Sequence, residues 1–198
     1  MRIGVHLWFH SCNFAAPNEP MKNKVVMRRS KIHGNGVFAL EDIKKGEDIM
    51  EYKGKLITHA EADERYSSDI ESGHTFIFIL NKQWVIDANR DGNDARWINT
   101  GCEPNGVAFV HTAKGKDRTK DKVIIEAKRN IKTGEEIIYD YGIVLSEPPT
   151  AAELKAWECK CGSPKCKGTM LTWKKPKPVK KAAARSTSKA APKKRTKA

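Results

Sequence analysis

Three of the five cysteines crowd into eight residues, Cys159-Lys-Cys161-Gly-Ser-Pro-Lys-Cys166, and no other feature limits the folding of this chain as strongly. An odd count with such crowding favours a metal site over disulfides. Gly162 and Pro164 let the backbone bend around one point. Tetrahedral zinc in a structural site closes its shell with four donors, so three thiols require a fourth from elsewhere. Cys102 is the candidate, because it sits in a polar turn, Asn99-Thr-Gly-Cys-Glu-Pro-Asn105, and not on an apolar strand face. The competing reading makes Cys102 a buried free thiol and the triplet a redox pair plus one; the spacing favours zinc.

At 198 residues, 39% hydrophobic and 31% charged, the chain suffices for one domain and a small accessory module. Its longest apolar runs, such as Phe76–Leu80 and Val123–Ile125, are strand-length, far short of the roughly 20 residues that span a bilayer. The net charge of +13 is uneven: eleven Lys/Arg and no acid lie in Lys174–Ala198, leaving 26 basic against 24 acidic residues before it. A nearly neutral globule thus carries a cationic tail. Met1–Pro20 makes a poor signal peptide. Residues 1–24 are expected to be a poorly ordered extension, with Met21 and Met27 as alternative starts.

From Val25 onward, short β-rich runs separated by Gly, Asn and Lys turns dominate: Val25–Arg28, Gly36–Leu40, Asp48–Tyr52, Thr75–Leu80, Trp84–Asp87, Val107–His111, Val123–Ala127 and Glu136–Tyr139. The expected class is mostly β, a β-rich α+β domain. Two capping boxes, Thr58-His-Ala-Glu61 and Thr150-Ala-Ala-Glu153, announce helices, the first running to about Ile70. Thr112–Asp121 reads as a long surface hairpin loop, and Pro148-Pro149 as a boundary. Beyond Trp173 no periodic apolar positions remain, so that segment cannot bury enough surface to offset its ordering entropy and is expected to be disordered.

Other segments are unremarkable singly. His33-Gly34-Asn35-Gly36 lacks the third glycine of a dinucleotide fingerprint. Tyrosines on a strand usually pack, and Asn in a Gly-containing turn usually serves the turn. In their order, however, Gly34-Asn35-Gly36, Glu51-Tyr52-Lys53-Gly54, Ile86-Asp87-Ala88, Gly92-Asn93 through Asn99, Cys102-Glu-Pro-Asn105, Gly134-Glu135-Glu136 through Tyr141, and the cysteine triplet followed by Gly168-Thr169-Met170 resemble the SET-domain family of protein-lysine methyltransferases with a post-SET zinc module. The resemblance covers residues 25–173, as a SET domain over 25–146 and a zinc module over 147–173, with 174–198 as the tail.

The resemblance implies small curved sheets around a C-terminal pseudoknot, a rare exception to unknotted topology. It implies S-adenosylmethionine on one face, with a substrate lysine entering by a narrow channel from the other. Gly34, Asn35 and Gly36 would meet the methionine part of the cofactor, and Asn99 with Thr100 would hold it near the knot. Tyr141 matches the catalytic tyrosine, and Tyr139 the position where the family's Phe or Tyr limits methyl addition; Tyr implies monomethylation. Cys102, Cys159, Cys161 and Cys166 would hold structural zinc, leaving Cys12 a free thiol. Where the family's common pattern is Asn-His-Ser-Cys, this chain has Asn99-Thr100-Gly101-Cys102. Thr100 lacks the imidazole's reach, and this departure sets up the alternative: a weak or inactive zinc-stabilised module that binds chromatin or nucleic acid. Met170, Leu171 or Trp173 would close one wall of the site.

The tail resembles those of linker histones, and such charge blocks bind phosphates without sequence preference. The expected substrate is a histone or histone-like basic protein, with Lys189 a candidate for self-methylation. The expected location is nuclear chromatin, a bacterial nucleoid, or a host nucleus reached by secretion; no membrane partner is expected.

Overall fold

The computed structural model describes residues 3–5 (backbone only), 23–66 and 76–173. The tail with Lys189, Cys12, the helix end near Ile70 and Thr75 lie outside the described residues. Among the described residues thirteen strands carry the fold: β1 (Ile3–Val5), β2 (Val25–Arg29), β3 (Asn35–Ala39), β4 (Asp48–Tyr52), β5 (Lys55–Thr58), β6 (Ile77–Ile79), β7 (Trp84–Asp87), β8 (Asn99–Thr100), β9 (Gly106–His111), β10 (Lys122–Ala127), β11 (Glu136–Tyr139), β12 (Ile143–Leu145) and β13 (Leu171–Trp173). Two α-helices are described, α1 (His59–Tyr66) and α2 (Ala151–Ala156). Both begin on the expected capping boxes. Thr58 N–H donates to Glu61 Oε2 at 2.8 Å while Glu61 N–H returns to Thr58 Oγ1 at 3.2 Å, and Thr150 with Glu153 repeats the exchange.

The strands form four small sheets, ordered β1-β12-β13, β4-β10-β9, β2-β3-β11-β8 and β5-β7-β6. In β10, Val123, Ile124 and Ile125 are all buried, because the strand is flanked by β4 and β9 and covered on both faces. The β9–β10 hairpin closes through Thr112–Asp121 as expected. Its base is held by the buried Asp121 carboxylate, which accepts from Asn81 Nδ2 at 2.9 Å, Ala113 N–H at 3.0 Å and the Arg118 guanidinium at 2.7 Å.

One core joins Val37, Ile43, Ile49, Val123, Ile125, Ile131 and Ile137; a second, smaller one packs Ile143, Leu145, Trp157 and Leu171. Between them, β11 pairs antiparallel with β3 and parallel with β8, in register Ile138↔Asn99 and Tyr139↔Thr100. A parallel pair cannot be closed by a tight turn, so β11 must return from a distant part of the chain to lie beside β8. Residues 30–36, 99–100 and 136–141 are thereby laced together, at the place where the resemblance puts the knot. Ile3–Val5, within the stretch expected to lack order, pairs antiparallel with β12, and β12 pairs parallel with β13.

Candidate active site

A cleft of about 270 Å³ opens between three walls: the turn Ile32–Asn35; Arg96, Trp97, Asn99 and Thr100 with Tyr141; and Ala156, Trp157 and Met170 of the C-terminal module. Gly34 holds φ at +49°, and a Cβ there would meet nothing within 4 Å, so backbone conformation is what this position asks of glycine. Asn35 lines the cleft with it, whereas Gly36 faces the Glu136 carboxylate.

Asn99 Nδ2 donates to Asn35 C=O and Glu136 Oε1, both at 2.9 Å, and lies 3.2 Å from His33 C=O. Thr100 Oγ1 accepts the Tyr141 N–H at 3.3 Å. The hydroxyl standing where the family carries imidazole is therefore turned to the backbone of the tyrosine segment. Tyr141 Oη donates to Ile98 C=O at 2.8 Å, which leaves the oxygen lone pairs for an incoming donor.

Behind Tyr141 the rings form a chain, with centroid separations of 5.1 Å from Tyr141 to Tyr139, 6.4 Å from Tyr139 to Phe78 and 5.3 Å from Phe78 to Tyr52. Burial raises all three phenols above their ordinary range, so each is neutral at physiological pH. Beside them the Arg96 guanidinium lies 4.9 Å from the Trp97 ring centroid and 5.9 Å from that of Phe76, and donates to Ala88 C=O at 3.0 Å.

The four sulfurs of Cys102, Cys159, Cys161 and Cys166 lie within 4.8 Å of one another, with Cys102 and Cys159 at 3.8 Å. A zinc–sulfur bond of about 2.3 Å in a tetrahedron requires sulfur separations of about 3.8 Å, so the donor set fits zinc. Burial pushes the Cys159 thiol up to about 12. At Cys161 burial also works upward, but backbone N–H groups of Cys102 and Ser163 bring the thiol down to about 7. A Cβ at Gly101 would stand 3.1 Å from Cys161 Cβ and 2.9 Å from Ile138 Cδ1. Glycine at this position lets the cysteine cluster seat directly against β11.

A sequence model of the SET domain matches residues 34–142. The chain belongs to the SET-domain family. Among curated relatives, "Histone-lysine N-methyltransferase, H3 lysine-4 specific" of Schizosaccharomyces pombe is 36% identical over 141 residues, 70% of this chain and 14% of that protein. "Histone-lysine N-methyltransferase set-2" of Caenorhabditis elegans is 36% identical over 149 residues, 74% of this chain and 9% of its own length. "Histone-lysine N-methyltransferase MEDEA" of Arabidopsis thaliana is 38% identical over 118 residues, 60% of this chain and 16% of its own. The chain thus spans a small fraction of each.

Within this SET domain the structure brings Gly34, Asn35, Asn99, Thr100 and Tyr141 to one cleft. Tyr139 stands behind Tyr141, and the four cysteines gather into one cluster. Of the three wall candidates, Met170 lines the cleft and Leu171 is buried in the second core. Sequence reasoning assigned no role to Tyr52, Phe78, Arg96 or Trp97. The only pointer to Arg96 and Trp97 was their closeness to Asn99; Tyr52 and Phe78 look like strand packing residues until topology stacks them on Tyr139.

Proposed function

We propose that this chain is an S-adenosylmethionine-dependent protein-lysine N-methyltransferase that adds a single methyl group to a lysine of a histone or histone-like basic protein. The observation that carries this reading is the junction at Tyr141, whose hydroxyl is oriented by Ile98 C=O where the cleft meets the row of buried phenols. The residues suit the cofactor: Phe76, Trp97 and Trp157 present aromatic surface for a purine, Asn99 and the Ile32–Asn35 turn present acceptors for an ammonium, and Arg96 is a cation for a carboxylate. S-adenosylmethionine supplies an electrophilic methyl group on a sulfonium centre.

The protein's part is position and electrostatics. A lysine amine attacks only when neutral, and its ordinary pKa near 10.4 has to fall. The apolar ring row favours the uncharged form by desolvation. Tyr141 Oη, its proton committed to Ile98, accepts from the amine and holds its lone pair toward the cleft. The departing proton passes to water, since among the described residues no carboxylate or imidazole lies in the ring row. The Tyr139 hydroxyl takes the space, or holds the water, that a second methyl group would need.

The four cysteines would hold a structural zinc that fastens 147–173 beside the SET domain of 25–146. The basic tail 174–198 would bring the enzyme to nucleic acid without sequence preference, and the location that fits both is nuclear chromatin. Support for a histone substrate comes from the relatives' names and the charge of the tail.

The test is calorimetric titration of zinc-loaded protein with S-adenosylmethionine, then mass spectrometry of histones incubated with both. Binding and a single added methyl, abolished by Tyr141→Phe with the melting temperature kept, is the expected result. A folded protein that binds no cofactor would overturn the enzyme and favour a zinc-stabilised chromatin-binding module.

A further inference from the structure

We propose that Glu136 is a positioning residue whose carboxylate sets the amide of Asn99 and the Ser30–Gly36 turn in the orientation the cofactor cleft requires. The inference rests on the cofactor reading above for its functional meaning, and on geometry alone for the clamp itself.

Glu136 Oε1 accepts from Ser30 Oγ at 2.8 Å and from Asn99 Nδ2 at 2.9 Å, and Oε2 lies 3.0 Å from the same hydroxyl. Ser30 is the base of the turn: its N–H donates to Gly34 C=O at 3.0 Å, and its Oγ accepts the Ile32 N–H at 2.9 Å. One carboxylate thus grips the turn that forms the first wall of the cleft and the asparagine on the second. Its strand, β11, leads on to Tyr139 and Tyr141.

The chemistry of Asn99 gives the clamp its consequence. A side-chain amide can face either way, and its neighbours decide which. The three groups around Nδ2 are the carbonyls of His33 and Asn35 and the Glu136 carboxylate. All three only accept, so the nitrogen must face them and the amide oxygen is turned away, on a residue that lines the cleft. Glu136 is the charged member of the set, and charge-assisted hydrogen bonds are about twice as strong as neutral ones.

Gly36 gives an independent sign of the same clamp. A Cβ there would fall on Glu136 Oε1 and stand 3.0 Å from Ser30 Cβ. The glycine that sequence reasoning assigned to cofactor contact makes room for the carboxylate.

The test uses the full, zinc-loaded chain and two readouts, the affinity for S-adenosylmethionine and amide hydrogen exchange in residues 30–36. Glu136→Met, which removes the acceptors but keeps length, is expected to weaken binding about ten- to a hundredfold and to speed exchange at Ile32–Gly36, leaving the β9–β10 hairpin protected. Glu136→Gln, which keeps one acceptor, is expected to bind within about threefold of the parent. The pair Asn99→Ala/Glu136→Met is expected to lose less affinity than the product of the two single losses, since the part of the Glu136 effect that acts through Asn99 is already gone in Asn99→Ala. Parental affinity in Glu136→Met, or a double variant whose loss is the product of the two single losses, overturns the proposal. Should Glu136→Met fail to fold, Ser30→Ala probes the clamp from its other end, and unchanged exchange at 32–34 overturns it. A parent that binds no cofactor while Glu136→Met still loosens the turn overturns the cofactor reading and leaves the clamp standing.

Discussion

Asn105 is 1% exposed and ties the turn after Cys102 to β11. Its Nδ2 donates to Glu136 C=O at 2.7 Å and to Glu135 Oε1 at 3.1 Å, and its Oδ1 accepts the Ile138 N–H at 2.8 Å. Asn105→Ala deprives two backbone groups, the Glu136 carbonyl and the Ile138 N–H, of these partners. Each buried orphan costs about 1–3 kcal/mol, so the loss for two is about 2–6 kcal/mol. At about 2–4 °C per kcal/mol for a chain of this size, the melting temperature falls by about 4–24 °C. Asn105→Asp sharpens the test. It keeps an acceptor for Ile138 but sets a carboxylate oxygen against the Glu136 carbonyl and the Glu135 carboxylate, so at neutral pH it should be no better than alanine. Thermal and urea unfolding followed by circular dichroism measure both. A loss below about 1 kcal/mol for alanine, or near-parental stability for aspartate, would refute the argument that these bonds hold β11 in place.

Tyr139→Phe should shift the product from monomethyl- toward dimethyl-lysine, and unchanged product masses would refute the proposed role of its hydroxyl. Chelation of zinc should loosen 147–173 and, because Ala156, Trp157 and Met170 form one wall of the cleft, weaken cofactor binding; calorimetry showing full affinity after chelation would disprove the coupling. The Asp42 carboxyl is held at about 2 by the Lys132 ammonium and then by Thr133 N–H and hydroxyl, against an ordinary 3.8. A folded-state value below the unfolded one means its contribution is whole above 3.8 and lost as pH falls toward 2. The stability gap between parent and Asp42→Asn should therefore close over that window, and a gap independent of pH would count against it.

What could be read in advance was what local rules decide. The capping boxes of α1 and α2 and the run of β10 declare themselves because the signal lies within a few residues. The short strands were missed for the opposite reason. Asn99–Thr100 is polar and two residues long, and only its parallel partner makes it a strand. Leu171–Trp173 likewise needs β12 beside it. At the site, Asn99 and Tyr141 were legible through an ordered set of motifs, while Tyr52, Phe78 and Arg96 owe their places to packing between segments distant in sequence. The room that Gly36 leaves for a carboxylate was not legible, since that carboxylate arrives from β11.

The cysteine cluster also sets an order of assembly during synthesis. Cys102 leaves the ribosome with the SET core, but its three companions and the residues of the third wall come far later in the chain. Until the triplet emerges, Asn99 and Tyr141 would lack the third wall, and the proposed metal capture would be the step that completes the cleft. A nascent or truncated chain ending near Leu145 would hold the proposed catalytic residues without the wall that encloses them.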